Sequence, residues 1–204
     1  MVDTINIKGG CIALTVFRKL VEYFKHLWYD LNIKCSKKER KSGSMKENSE
    51  IERDIIINSY YVIDYFKKQG ESITNLKLQK LMYFLEGLYM ALGNEEYLYH
   101  QQFLAWDFGP VCRELYDYYK VNGNEEIELT ESEIKKAKNM PEMNSVLVYG
   151  LYKIFGKWST YELVELTHEK NSPWSKVYDE NNKNNPIDKL ETKKWLKEKL
   201  EIDE

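Results

Sequence analysis

Three histidines, three cysteines and a handful of carboxylate pairs are the side chains with which this chain could do chemistry, and their spacing argues against most of it. His26, His100 and His168 stand far apart, and none belongs to an HxxxH or HExxH pattern that would put metal ligands on one helix face. Cys11, Cys35 and Cys112 are odd in number and widely separated, with no CxxC pair. They read as free thiols of a reducing compartment, not as a disulfide framework or a zinc site. Cys112 reads as lying early in a helix, where a thiolate is favoured. It has no sequence-local histidine, so a packed core thiol is the better reading. His168-Glu169 reads as following a helix end, where an imidazole complements the dipole. Gly109-Pro110-Val111 has no GxxxxGK or GxGxxG context for a phosphate. Glu95-Glu96, Glu125-Glu126 and Asp203-Glu204 read as solvated faces and turns. The expectation is a protein that is not an enzyme and carries no cofactor and no metal.

Composition points to binding instead. Of 204 residues, 43% are apolar and 31% charged, as in a globular chain, and sixteen Tyr and five Trp raise the aromatic share to 14%. Aromatic side chains with polar tips favour half-buried and interface positions. Residues 1–50 hold ten Lys/Arg against six Asp/Glu, and the remainder twenty against twenty-seven. An acidic body argues against a duplex-nucleic-acid partner, whose affinity comes mainly from neutralised phosphates. No apolar run approaches the roughly 20 residues of a membrane span. The stretch Cys11–Phe17 is followed by Arg18 and Lys19 without a cleavage pattern, so a cytoplasmic protein is expected.

The elements that must position these residues read as mainly α: a compact bundle of six to seven helices, a small extended or β element near residues 98–107, and a separate N-terminal amphipathic helix. That last helix covers residues 12–31, with Val16, Leu20, Phe24 and Leu27 in one line beside Phe17, Val21 and Trp28. Three parts follow: an extension over 1–33, a Lys/Ser/Gly-rich linker over 34–50, and a main domain over 51–204. Translation of the main domain from Met45 is an open alternative. In that domain Gln69-Gly70 stops a first helix, and Thr74 caps a second over Asn75–Leu92. Gly109-Pro110 opens a third over Val111–Val121. Glu125–Leu129 reads as a second extended piece. Thr130 with Glu133, and Ser159 with Glu162, are capping boxes, and Pro141 interrupts the chain between them. Pro173 opens another turn, and Asp188 caps the last helix.

For protein binding the signals are Trp106, Phe108, Gly109, Pro110, Val111, Trp158, Trp174 and the detached helix 12–31. A lone amphipathic helix must fold back on its own domain, pair with another copy or dock in a partner. A helix–turn–helix could be read into residues 51–92, with Lys77 and Lys80 on the outer face of the second helix. Apolar residues fill most of what remains there, so it reads as core-facing, not groove-reading.

Three segments then carry a resemblance. Leu78-Gln79-Lys80-Leu81-Met82-Tyr83-Phe84 comes first, followed by Ala105-Trp106-Asp107-Phe108-Gly109-Pro110-Val111 with Tyr116. Leu166-Thr167-His168 with Pro173-Trp174 comes last. In this order they resemble the Panacea antitoxin domain (SocA-like, phage-associated); Phe108 stands where Tyr or His is commoner. The resemblance implies a small helical antitoxin that neutralises a cognate protein toxin by direct binding and has no catalytic centre. It also implies an alternative, a proteolytic adaptor that delivers a bound toxin to a protease; a DNA-binding transcriptional regulator stays open as a separate reading. Candidate partner-binding residues are then Trp106, Phe108, Gly109, Pro110, Val111, His168 and Trp174 in the domain. Phe17, Leu20, Phe24 and Trp28 are the candidates in the extension. Self-association and a protease are further candidate partners; a membrane is not expected, and nucleic acid is disfavoured.

Overall fold

A computed structural model of the chain describes residues 54–94, 97–139, 142–200 and 202. The expected helix 12–31 with Phe17, Leu20, Phe24 and Trp28 lies outside the described residues. So do the linker with Met45, and His26, Cys11, Cys35 and Pro141.

Eight α-helices and one hairpin make up the described chain. Helix α1 (Ile55–Lys68) starts at Asp54, whose carboxylate accepts from the Ile56 and Ile57 N–H groups, and ends at Gln69. Helix α2 (Asn75–Ala91) is capped by Thr74, which accepts from the Lys77 N–H. Strands β1 (Phe103–Trp106) and β2 (Gly109–Cys112) pair antiparallel, Trp106 opposite Gly109 and Phe103 opposite Cys112. Helix α3 (Arg113–Tyr119) runs into a 3-10 turn at Lys120–Asn122. Both expected capping boxes form, starting α4 (Glu131–Ala137) and α6 (Thr160–His168). Between them lies α5 (Glu142–Phe155), and α7 (Pro173–Val177) and α8 (Lys189–Lys199) close the domain. The eighth helix is the five-residue α7, which its Pro173 signal marks only as a turn. Glu125–Leu129 forms no strand; it contributes one bridge, Thr74 to Glu126, with the Ile127 N–H donating to the Ile73 carbonyl at 2.8 Å. Among the described residues no helix is long and apolar enough to cross a membrane.

Helix α2 is the hub. Fifteen of its seventeen residues are buried, because α1, α3, α5, α6, α8 and the hairpin all pack around it. Phe84 stacks on Phe155 with centroids 4.5 Å apart, and Tyr83 meets Phe103 edge-on at 5.4 Å. This burial corrects the placement of Lys77 and Lys80 on an outer face: the two are 7% and 0% exposed. It also removes α2 as a DNA-reading helix, since no face is free to enter a groove. Gly87 sets how closely α8 approaches, for a methyl group built there would overlap Leu196 Cδ1 and crowd Thr192 Cγ2.

The hairpin differs from expectation too. Pro110 does not open a helix; it lies inside β2, and α3 begins only at Arg113. The missing N–H of proline is harmless in both settings, since Pro110 turns its free backbone position away from β1. Gly109, at φ +93°, brings the chain back after the two-residue turn Asp107-Phe108, and this is the conformation that favours glycine there.

Gly87→Ala is expected to cost about 1–3 kcal/mol in urea unfolding, through overpacking against α8. Leu196→Ala should cost less in that background than alone, since one deletion relieves the other's clash. Additive effects would show that the α2–α8 approach is not set by Gly87.

Candidate functional site: a clamped hairpin and its groove

Two backbone groups that β2 turns away from β1 meet side chains of α2. The Lys80 ammonium, wholly buried, donates to the Pro110 carbonyl at 2.7 Å. One residue before it, Gln79 accepts the Cys112 N–H at 2.9 Å. The outer edge of β1 is covered by residues 185–187: Ala105 N–H donates to the Asn185 carbonyl and Ile187 N–H to the Phe103 carbonyl, both at 2.9 Å. Neither edge is left open as a template for another strand.

From the third side, the α6–α7 corner holds the turn. His168 stacks on Trp174 at 3.8 Å, and Trp174 on Tyr178 at 4.4 Å. Trp174 Nε1 donates to the Trp106 carbonyl at 2.9 Å, and Tyr178 Oη donates to Asp107 Oδ1 at 2.9 Å. Lys183 holds the other oxygen of Asp107 at 2.6 Å. The corner is itself closed by Ser172, whose hydroxyl donates to the Thr167 carbonyl at 2.6 Å. Thr167 Oγ1 packs so near Gly109 that an added Cβ would lie 2.5 Å from it and 3.0 Å from Lys80 Cε.

Electrostatics follow from burial. Desolvation pushes Lys80 from the ordinary 10.5 down to about 7. His168 is also lowered, first by burial and then by the Lys80 charge, while Glu165 opposes. Burial pushes the Cys112 thiol up to about 12, so it is protonated at neutral pH. Cys112 is the N-cap residue of α3, where the Leu115 and Glu114 N–H groups favour a thiolate, but desolvation outweighs them. Among the described residues no group of three or more His, Cys, Asp or Glu side chains gathers where it could hold a metal ion.

The candidate residues therefore divide. Gly109, Pro110, Val111 and Trp174 are buried, His168 and Trp106 are half-buried, and Phe108 is 65% exposed at the tip of the turn. Trp106 is braced by Tyr116, edge-on at 5.0 Å, and by Arg113 over its ring at 5.2 Å. Beside the turn lies a groove of about 610 Å³, with Leu76, Trp106, Phe108, Val111 and Tyr116 among its walls and Asn75 and Gln79 from α2. Sequence reasoning missed Asn75 and Gln79. The available signal was a polar set at positions 75, 77, 79, 80 and 86 within a helix whose other residues are mostly apolar. Trp158 stands apart from this cluster and packs edge-on against Phe155 at 5.5 Å.

Two outcomes test the clamp. Gly109→Ala is expected to destabilise by about 2–4 kcal/mol, from the left-handed backbone and the contact with Thr167 together. For Lys80, whose folded pKa lies below its unfolded one, the unfolded chain holds more protons between about 7 and 10.5. Its contribution to stability therefore rises with pH across that window, by at most about 1.4 kcal/mol per pH unit. Urea unfolding of Lys80→Met should come closest to wild type at pH 7 and fall behind it progressively by pH 9. A constant difference across that range would show that the buried amine does not titrate there.

The chain's motifs and this architecture can be set beside known proteins. Residues 78–175 match the family model described as the antitoxin SocA-like, Panacea domain. Antitoxin SocA of Caulobacter vibrioides (strain NA1000 / CB15N) is 28% identical over 113 residues, covering 52% of this chain and 60% of that protein. No solved structure matches the chain. The family match begins at the start of the Gln79-Lys80 clamp and ends just past Trp174, so it encloses the α2 and α6–α7 contacts to the hairpin but not Tyr178, Lys183 and residues 185–187. Over residues 78–175, just under half of its length, this chain is similar to the SocA-like, Panacea domain of antitoxins.

Proposed function

We propose that this protein is an antitoxin that neutralises a cognate protein toxin by direct binding, and that the hairpin tip with its adjoining groove is the contacting surface. One observation carries the reading: Phe108, an aromatic 65% exposed, stands on a turn held from three sides, at the lip of an apolar groove. A large exposed ring on a rigid support loses little conformational freedom on binding, and such anchors dominate interface energies. Tyr116 and Val121 add exposed apolar surface on the α3 side, at 36% and 87% exposure. The antitoxin name of the Caulobacter relative and the family match support the same class. The surface acts by holding its partner, with Trp106 and Val111 beneath Phe108 and with Trp174 and His168 as the support behind them. The extension residues Phe17, Leu20, Phe24 and Trp28 belong to this proposal as a second contact.

Co-expression with the adjacent gene tests it. Growth arrest by that gene's product should be relieved by this chain, and the two proteins should copurify. Phe108→Asp should weaken the complex at least about tenfold, as loss of a central aromatic anchor does, and abolish the rescue. Its thermal unfolding should match wild type, because the ring is mostly in solvent. Undiminished rescue by Phe108→Asp would place the contact elsewhere; a harmless neighbour would remove the antitoxin reading.

A further inference from the structure

The groove beside Phe108 contains a chain of amides whose orientation is fixed from one end. A backbone N–H can only donate, so the Cys112 N–H requires Gln79 to present Oε1. Gln79 Nε2 then faces Asn75 and donates to its Oδ1 at 3.3 Å. That leaves Asn75 Nδ2 as a donor without a protein acceptor, on a side chain only 5% exposed that lines the groove. Leu76, next in the wall, is the second residue of α2, so its N–H has no acceptor within the helix. Trp106, another lining residue, has its Nε1 buried without a partner.

The acceptors nearest this amide chain are already engaged. Gln79 Oε1 holds Cys112, and Asp107 gives one oxygen to Tyr178 and the other to Lys183. The second lining ammonium, Lys120, is paired with Asp117 at 2.9 Å. Asn75 Nδ2 and the Leu76 N–H thus face the groove with no protein acceptor, at the positive end of a seventeen-residue helix. We propose that a carboxylate of the partner polypeptide occupies this end of the groove, hydrogen-bonded to Asn75 Nδ2 and the Leu76 N–H. An adjoining apolar side chain then lies against Leu76, Val111 and Phe108. This rests on the binding role proposed above for the same surface and adds the chemistry by which the partner is recognised.

The probe is N-acetyl-phenylalanine, a carboxylate beside an apolar ring, with N-acetyl-phenylalaninamide as its uncharged match, titrated into the full chain and followed by amide NMR. The carboxylate should bind at about 1–10 mM, shifting the Asn75 side-chain amide, the Leu76 N–H and the Trp106 indole. The amide probe should bind at least about fivefold more weakly, since it cannot form the charge-assisted bonds. Asn75→Asp keeps an oxygen for Gln79 and suits the first turn of a helix, but it sets a carboxylate against the probe's own. That variant should fold as wild type and lose the preference. Equal binding of both probes, shifts confined to other parts of the chain, or a preference that survives Asn75→Asp would each overturn the inference. Failure of the antitoxin reading leaves these shifts in place, whereas failure of this inference removes them, so the two are told apart.

Discussion

The link from the Lys80 ammonium to the Pro110 carbonyl is the constraint on which the rest of this domain turns. A two-stranded hairpin is at best marginally stable alone, and its outer edges expose polar groups that cannot be buried unpaired. Here β2 is pressed against the most buried helix of the domain, where no water can take up its outward carbonyl and N–H. Adjacent residues of α2 supply the two complementary groups, a donor from Lys80 and an acceptor from Gln79. Burying a full ammonium is expensive, and the depressed pKa of Lys80 records that cost. The alternative, an apolar residue at position 80, leaves the Pro110 carbonyl orphaned, so the amine is retained by what it faces.

A similar link secures the other end of the same segment. Glu86, two turns along α2, accepts the Tyr99 N–H at 3.0 Å and pairs with Lys189 at 3.1 Å. Lys189 in turn donates to the Tyr99 carbonyl at 2.5 Å. Burial raises Glu86 to about 7 while Lys189 opposes the rise. Asn75, Gln79 and Glu86 fall at i, i+4 and i+11, on one stripe of the helix. That stripe is a polar seam inside the core, and the excursion between α2 and α3 is fastened along it at both ends. The rings of α6 and α7 then fix the turn between the strands, leaving Phe108 outside.

How much of this could be read from the chain depends on how local each determinant is. Caps and capping boxes are decided within four residues, so Thr74, Thr130, Ser159 and Asp188 mark their helices correctly. The hairpin is not local in that sense. Gly109-Pro110 fits a helix start as well as a turn exit, and the choice is made by Gln79 and Lys80 some thirty residues earlier. Lys80 was misplaced for a related reason: periodicity assumes that one face of a helix meets water, whereas α2 is enclosed by six elements. The motif segments were legible as a family pattern, but their physical purpose was not. Thr167 and His168 look like a helix terminus until Gly109 and Trp174 are seen packed against them.

The division between clamp and tip also bears on how one frame can serve recognition. The buried polar contacts around the hairpin are spent inward, on the Pro110 carbonyl, the Cys112 N–H and the Trp106 carbonyl, while Asp107 is held by Tyr178 and Lys183 at the surface. The outward residues, Phe108, Tyr116 and Val121, make few such contacts and pack only partly, so their replacement perturbs little behind them. A surface of that kind can change its chemistry without renegotiating the core, because the two are coupled through the backbone of the turn and not through shared side chains. The coupling that does remain runs through Trp106, whose carbonyl belongs to the clamp and whose ring forms the groove wall. Changes at that residue therefore act on both the frame and the face it presents.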